Sequence, residues 1–306
     1  MAAGRPAVHR PGAADSLLIA VAVGAVSTSG PLIASASAVV PALAIAFWRN
    51  AMASAVLVPA SLLRRLGELR GMRKGEWLLA VAAGLLLAGH FGTWVPSLTL
   101  TPVASATALV ATQPIWQAVI ARAGGALVPA RAWAGICLAV GGAAWLSGAD
   151  FSLSGRQLLG DLLAVVAGAF GAGYVAVGAQ VRRSVSTTTY TAVCYGTTAA
   201  VLAAVCLAGR IDLAGYPATG WAKLVALTVG AQLLGHSLFN VVLRTTSPTV
   251  VALALLLEVP GAALIAAVWL GQVPPAADWP AAALLLAGIA VVVTSVGRQE
   301  PALPPQ

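Results

Sequence analysis

GLLLAGHFGTWVPSLTLTP, residues 84–102, returns 146 residues later as GAQLLGHSLFNVVLRTTSP, residues 230–248. The two stretches align without a gap. Gly84 meets Gly230, Gly89-His90 meets Gly235-His236, Thr99 meets Thr245 and Pro102 meets Pro248. Carried outward, the same offset sets Asp15 on Asp161, Pro114 on Pro260, Pro129 on Pro275, Trp133 on Trp279 and Gly142 on Gly288. Chance repetition in an apolar chain would match Ala and Leu. Matches at Gly, Pro, His and Trp point instead to an internal duplication.

The copies are made of membrane-spanning sequence. Hydrophobic residues form 59% of the chain and charged residues 8%; mean hydropathy is +0.92. A soluble domain carries about 25% charged residues, so this chain cannot coat itself for water. A span needs about 20 apolar residues. Such runs fall at 16–35, 39–62, 77–97, 101–121, 132–149, 158–179, 188–208, 222–242, 247–270 and 279–297. Gly71, Pro129, Gly155, Pro217 and Pro274-Pro275 punctuate the gaps. The expected fold is all-α and integral to the membrane, with ten transmembrane helices. They form two five-helix units, 15–150 and 151–297, with disordered cytoplasmic tails at 1–14 and 298–306. Five is odd, so consecutive copies enter the bilayer from opposite faces. The reading is an inverted repeat about a pseudo-two-fold axis in the membrane plane.

Charge fixes the orientation expected. Of seventeen Lys and Arg, thirteen fall in the N-terminus, the even-span loops and the C-terminus: Arg5, Arg10, Arg64, Arg65, Arg70, Arg73, Lys74, Arg122, Arg131, Arg182, Arg183, Arg244 and Arg298. Only Arg156, Arg210 and Lys223 occupy the opposite loops, and Arg49 lies inside a span. Basic residues stay on the cytoplasmic side, which puts both termini there. The net charge of +8 is therefore a topology signal. It is scattered through short gaps and forms no nucleic-acid-binding face. Arg5 and Arg10 ahead of an apolar run, with Ala34-Ser35-Ala36 after it, imitate a secretory signal. The length of the run and its later counterpart favour a retained span. Cys137, Cys194 and Cys206 lie in apolar segments and read as small buried residues.

Several stretches resemble the EamA-type family of the drug/metabolite transporter superfamily. Pro41–Arg65, with Phe47-Trp48-Arg49 and a run ending in Arg64-Arg65, resembles the family's second helix. Thr101–Pro114 is similar to its fourth, Gly160-Asp161-Leu162-Leu163 to the start of its sixth, and Pro248–Pro260 to its ninth. Leu270-Gly271 followed by Leu284–Val293 resembles its ending. The resemblance implies a ten-helix carrier of small metabolites in a bacterial cytoplasmic membrane, often exporting amino acids or related compounds. Members commonly carry an acid directly after that Leu-Gly; Gln272 stands here, at what reads as a structural position on the membrane edge.

Ionisable residues inside a span are functional candidates by default. Arg49 either faces a cavity and binds an anionic group such as a carboxylate, or serves as a snorkelling or carbonyl-bound clamp. Glu258 either recognises a substrate amine or carries a coupling proton, or is a packing residue before Pro260. The two could also pair with each other. His90 and His236 are either proton-linked groups or helix-bridging glue. Gln113 and Gln117, at i and i+4, share a face. Trp94 and Asn240 lie four residues after the two histidines. These residues either line one cavity or hydrogen-bond between helices. Ser27-Thr28-Ser29-Gly30-Pro31 interrupts the first span, and Gly171-Ala172-Gly173-Tyr174 is its counterpart. Asp15 and Asp161 read as helix N-caps. No metal-ligand spacing, nucleotide-binding loop or catalytic constellation is present, and no cofactor is implied. The expected function is a secondary carrier that binds a small, amino-acid-like or amphipathic metabolite at the midplane and exports it by alternating access, with protons a candidate coupling ion. The substrate-binding residues are Arg49, His90, Trp94, Gln113, Gln117, His236, Asn240 and Glu258. The rivals are a membrane-embedded enzyme and a channel or scaffold. Sequence does not assign an oligomeric state.

Overall fold

The computed structural model describes residues 12–125, 127–148, 154–235, 238–239, 242 and 248–296. The expected tails lie mostly outside this set, although helix already begins at Ala13. Every regular element among the described residues is a helix. In chain order these are α1 (Ala13–Ser27), α2 (Ser29–Ala36), α3 (Ala42–Gly71), α4 (Lys74–Ser97), α5 (Val103–Val110), α6 (Gln113–Ala123), α7 (Ala130–Gly148), α8 (Gly155–Val181), α9 (Thr187–Ala208) and α10 (Ala218–Ala226). A π-helical segment, Leu227–Gly235, continues α10, and α11 (Pro248–Leu255), α12 (Glu258–Leu270) and α13 (Asp278–Val296) follow. Among the described residues, eight helical segments are long and apolar enough to cross a membrane: Ala13–Ala36, Ala42–Gly71, Lys74–Ser97, Val103–Ala123, Gly155–Val181, Thr187–Ala208, Leu253–Leu270 and Asp278–Ser295.

Local chemistry sets the boundaries. Ser154 and Gln157 form a capping box at the start of α8. The Ser186 hydroxyl accepts from the Thr189 amide to cap α9. Gly271, at φ 66°, supplies the left-handed residue that ends α12. Prolines break the spans where the repeat aligns them. Pro114 follows the break between α5 and α6, and Pro260 follows the break between α11 and α12. A proline has no N–H for the helical ladder and its ring crowds the preceding turn. The first span breaks at Thr28, between α1 and α2. Its expected counterpart does not break: α8 runs continuously through Gly171–Tyr174. There Gly171 and Gly173 make room for the Gln113 and Leu86 side chains of neighbouring helices.

Two pairs of helices at matching repeat positions, α7 with α13 and α3 with α9, pack against each other and run antiparallel. The α7–α13 pair shows it most directly. Gly142 faces the backbone of Leu285 and Ala281, and Gly288 faces the backbone of Ala139 and Gly135. Adding 146 to 139 and 135 gives 285 and 281, so the two contacts are the same contact read from each side. Reciprocity of this kind is the mark of a two-fold interface. A Cβ at either glycine would overlap backbone of the other helix. The α3–α9 pair is also antiparallel. Arg49, early in α3, lies within electrostatic reach of Tyr195, whereas Glu68, late in α3, bonds Ser186 and Thr189 at the start of α9.

Two ends of the bundle follow. One gathers the α3–α4 and α8–α9 connections, where the Ser184 hydroxyl donates to Glu76 (2.6 Å) and the Ser186 amide to Glu68 (2.5 Å). The opposite end gathers residues 35–41, 98–102, 154–156 and 209–217. There Lys223 Nζ donates to the Ser35 carbonyl (3.0 Å) and Arg156 to the Thr99 carbonyl (3.0 Å). Ser35, part of the apparent cleavage signal, is thus bonded within the fold. Asp161 is not an N-cap; it is the seventh residue of α8, 4% exposed, and accepts from the Thr101 hydroxyl at 2.7 Å. Its helix starts at Gly155, three residues before the span expected at 158, because Ser154 and Gln157 cap it there. Asp15 lies in the first turn of α1, whose N-cap is Gly12. Cys137 is exposed, while Cys194 and Cys206 are buried.

Candidate functional site

Arg49 anchors the site. It is the eighth residue of α3, it is 2% exposed, and it heads the fully buried large side chains. A guanidinium in the interior of a membrane bundle is tolerated only with partners, and its partners come from both halves of the chain. Its Nε donates to Gln232 Oε1 at 2.7 Å. Gln232 Nε2 donates to Asn50 Oδ1 at 3.3 Å, and Asn50 Nδ2 donates to the Ala46 carbonyl at 2.8 Å. Gln232 belongs to the π-helical segment, a local widening often found at functional positions. The guanidinium carbon lies 4.2 Å from the centroid of the Phe91 ring, a cation–π contact. Arg49 Nη1 is buried and has no hydrogen-bond partner among the described residues.

Around this cation stand Glu258, His90 and Tyr195, all within its electrostatic reach. Glu258 opens α12 directly after the break that precedes Pro260. No ion pair within 4.0 Å joins it to Arg49, so the direct pairing considered from sequence is not formed. His90 Nδ1 donates to the Ala167 carbonyl of α8 at 2.9 Å, which realises the helix-bridging alternative for this residue. Its ring stacks on Trp94 with centroids 5.9 Å apart. Trp94 is 5% exposed, and its indole N–H is buried and unpartnered among the described residues. Arg49, Phe91, His90, Trp94 and Glu258 therefore form one constellation: a buried cation with a vacant donor, an aromatic wall and a carboxyl group.

The other expected residues separate. Gln113 packs its amide against Gly171 of α8, one turn beyond the carbonyl that binds His90. Gln117 is half-buried on the next turn of α6. Among the described residues neither hydrogen-bonds to Arg49, Gln232 or Asn50. His236 and Asn240 lie outside the described residues. Sequence reading missed Asn50, Gln232, Phe91 and Tyr195. Two signals were available. Tyr195 lies 146 residues after Arg49, so the duplication aligns them. Gln232 lies four residues before His236, the i, i+4 spacing that shares a helix face. Gln272 caps α5: its Oε1 accepts from the Val103 amide at 3.1 Å. Among the described residues no group of three or more His, Cys, Asp or Glu is placed to hold a metal.

Fold and site together define a polytopic helical membrane protein built on an internal duplication, with a charged constellation in its interior. The model of the EamA-like transporter family matches residues 14–148 and again 158–294. The chain belongs to that family, within the drug/metabolite transporter superfamily. A solved structure described as "Crystal structure of protein" aligns with 94% of this chain and 99% of that one, at TM-score 0.65 and 21% identity. At that identity the likeness is one of fold. No curated protein matches.

Proposed function

We propose that this protein is a secondary carrier that exports a small, amino-acid-like or amphipathic metabolite across a bacterial cytoplasmic membrane. Ten spans, in two inverted five-helix units at 15–150 and 151–297, alternate access to a shared midplane site, with both termini cytoplasmic. One observation carries the reading: two repeat-equivalent pairs, α7–α13 and α3–α9, meet antiparallel, with reciprocal contacts at Gly142 and Gly288. Two units related in this way can exchange conformations and so open the site to either face. Export, as opposed to uptake, rests on the family resemblance.

The site suits a zwitterion. Arg49 keeps a vacant Nη1 for a carboxylate, and a planar guanidinium binds carboxylates well. Glu258 faces the same interior and takes the amine, or carries the coupling proton. Phe91 and Trp94 offer apolar surface beside them, and His90, Gln113, Gln117, His236 and Asn240 complete the lining. The test is counterflow in proteoliposomes against amino acids, amines and drugs, with Glu258→Gln and Arg49→Ala beside wild type at several pH values. Saturable counterflow lost in Arg49→Ala is the expected result. Loss of pH response in Glu258→Gln assigns that residue the proton. Full transport and unchanged pH response in both variants would refute the site. Flux without counterflow would indicate a channel, and covalent turnover of a substrate would indicate an enzyme.

A further inference from the structure

A groove of about 260 Å³ runs between α3, α4 and α9. Val58, Ser61, Leu62 and Leu69 line it from α3, so it runs past Arg64 and Arg65; Trp77 and Val81 line it from α4, and Gly196 is among its lining from α9. Nearly all of this lining is apolar. The groove sits at a definable depth. At about 1.5 Å per residue, thirty-residue α3 is longer than the roughly 30 Å hydrocarbon core. About twenty residues from Ala42 cross that core, which brings its edge to Ser61. Arg64 and Arg65 follow within four residues. The helix then breaks at Arg65 (φ −136°, ψ 21°), which turns its last stretch aside.

This edge of the groove is strongly basic. Arg64, Arg65, Arg70, Arg73 and Lys74 are exposed here, and Arg182 and Arg183 lie exposed at the same end. The nearby carboxylates are already engaged. Glu68 accepts from Ser186 and Thr189, and Glu76 accepts from Arg73 and Ser184. Ser61 adds a third element. It is 1% exposed, and its hydroxyl is buried without a partner among the described residues. It stands one helical turn below Arg64 and Arg65, as the ester carbonyls of a phospholipid stand below its phosphate.

We propose that this groove is a binding site for an anionic phospholipid. Arg64 and Arg65 hold the phosphate, the Ser61 hydroxyl donates to an ester carbonyl, and one acyl chain lies against Val58, Val81 and the bare backbone of Gly196. Basic clusters at the membrane edge attract acidic headgroups, and charge complementarity selects an anionic lipid over a zwitterionic one. The proposal depends on membrane embedding and not on the transport reading.

Native mass spectrometry of the full-length protein in mild detergent tests it, with dioleoyl phosphatidylglycerol and dioleoyl phosphatidylcholine as probes. Wild type retains one phosphatidylglycerol, about tenfold more tightly than phosphatidylcholine. Arg64→Gln with Arg65→Gln removes that preference. A side chain at Gly196 meets open space, so Gly196→Leu folds normally by circular dichroism yet loses retention by filling the groove. Arg122→Gln with Arg131→Gln, exposed charges on α6 and α7, leaves retention intact. Equal binding of the two lipids by wild type overturns the proposal. So does retention by Gly196→Leu, or an equal loss in the Arg122 and Arg131 variant.

Discussion

Replacing Gly142 and Gly288 by alanine, singly and together, tests the packing on which the two halves depend. At each position a single methyl group would overlap backbone of the facing helix: Leu285 for Gly142 and Ala139 for Gly288. Backbone cannot rotate away as a side chain can, so α7 and α13 must separate. Forcing extra atoms into a packed interior costs about 1–3 kcal/mol, and a backbone clash belongs in the upper part of that range. Gly141 is the internal control, since a methyl group there meets nothing within 4 Å. Gly141→Ala removes backbone freedom from the unfolded chain and stabilises by about 0.4–1 kcal/mol. Thermal unfolding in detergent should therefore show Gly142→Ala and Gly288→Ala both shifted down, by about 2–4 °C per kcal/mol, and Gly141→Ala shifted slightly up. The double variant should lose less than the sum, because the first methyl already opens the interface that the second would strain. Matching losses are the essential result. If Gly288→Ala behaves like Gly141→Ala while Gly142→Ala unfolds early, the reciprocal interface does not exist.

Three further outcomes follow from single contacts. Gln232→Leu removes the acceptor of Arg49 Nε and should cost about 1.5–3 kcal/mol, the worth of a hydrogen bond to a charged group, read as a lowered unfolding temperature; no change would mean the guanidinium is held elsewhere. Thr101→Val takes the hydroxyl from buried Asp161 and should cost about 1–3 kcal/mol, while Asp161→Asn, which can still accept that bond, should cost less in the same assay. Gln272→Ala should lose about 1 kcal/mol through the uncapped Val103 amide, and Gln272→Glu should equal or exceed wild type because an anion is favoured at a helix N-terminus; a destabilised Gln272→Glu would contradict the capping role.

How far the sequence can be read depends on what each signal reports. Lengths of apolar run and Gly/Pro punctuation placed the eight spans seen among the described residues, because a span must satisfy its own backbone hydrogen bonds and so has a nearly fixed length. The offset of 146 residues also carried real geometry: it aligns Gly142 with Gly288, and it aligns Arg49 with Tyr195. What it could not give is the direction of a side chain. Gln232 turns toward Arg49 from a π-helical segment, and a wider helical turn shifts every face that an ideal period would assign. Asp161 looked like a cap only because the true cap, Ser154, lay in a stretch polar enough to pass for loop. Gln113 and Gln117 do share a helix, yet the glycine that receives Gln113, Gly171, is 58 residues away in sequence. Nothing local announces such a pairing.

The duplication is kept unevenly, and the unevenness has a physical reading. At the reciprocal α7–α13 contact both copies hold glycine, Gly142 and Gly288, because a Cβ at either would overlap backbone of the other helix. Around Arg49 the copies diverge. Arg49 stands opposite Tyr195, Asn50 matches Gly196, and Glu258 matches Thr112, whose hydroxyl is bonded to the Leu109 carbonyl of its own helix. A frame that swaps the conformations of its halves needs the same seam on both sides. A ligand with a distinct head and tail needs the opposite, one cation and one carboxyl group at fixed places in a shell without symmetry. On the carrier reading, the symmetric glycines belong to the motion and the asymmetric charges to recognition. Exchanging the pair, Arg49→Tyr with Tyr195→Arg, should then lower the unfolding temperature in detergent although net charge is unchanged, because the exchange removes the Arg49 bond to Gln232 and its contact with the Phe91 ring; an unchanged unfolding temperature would contradict this.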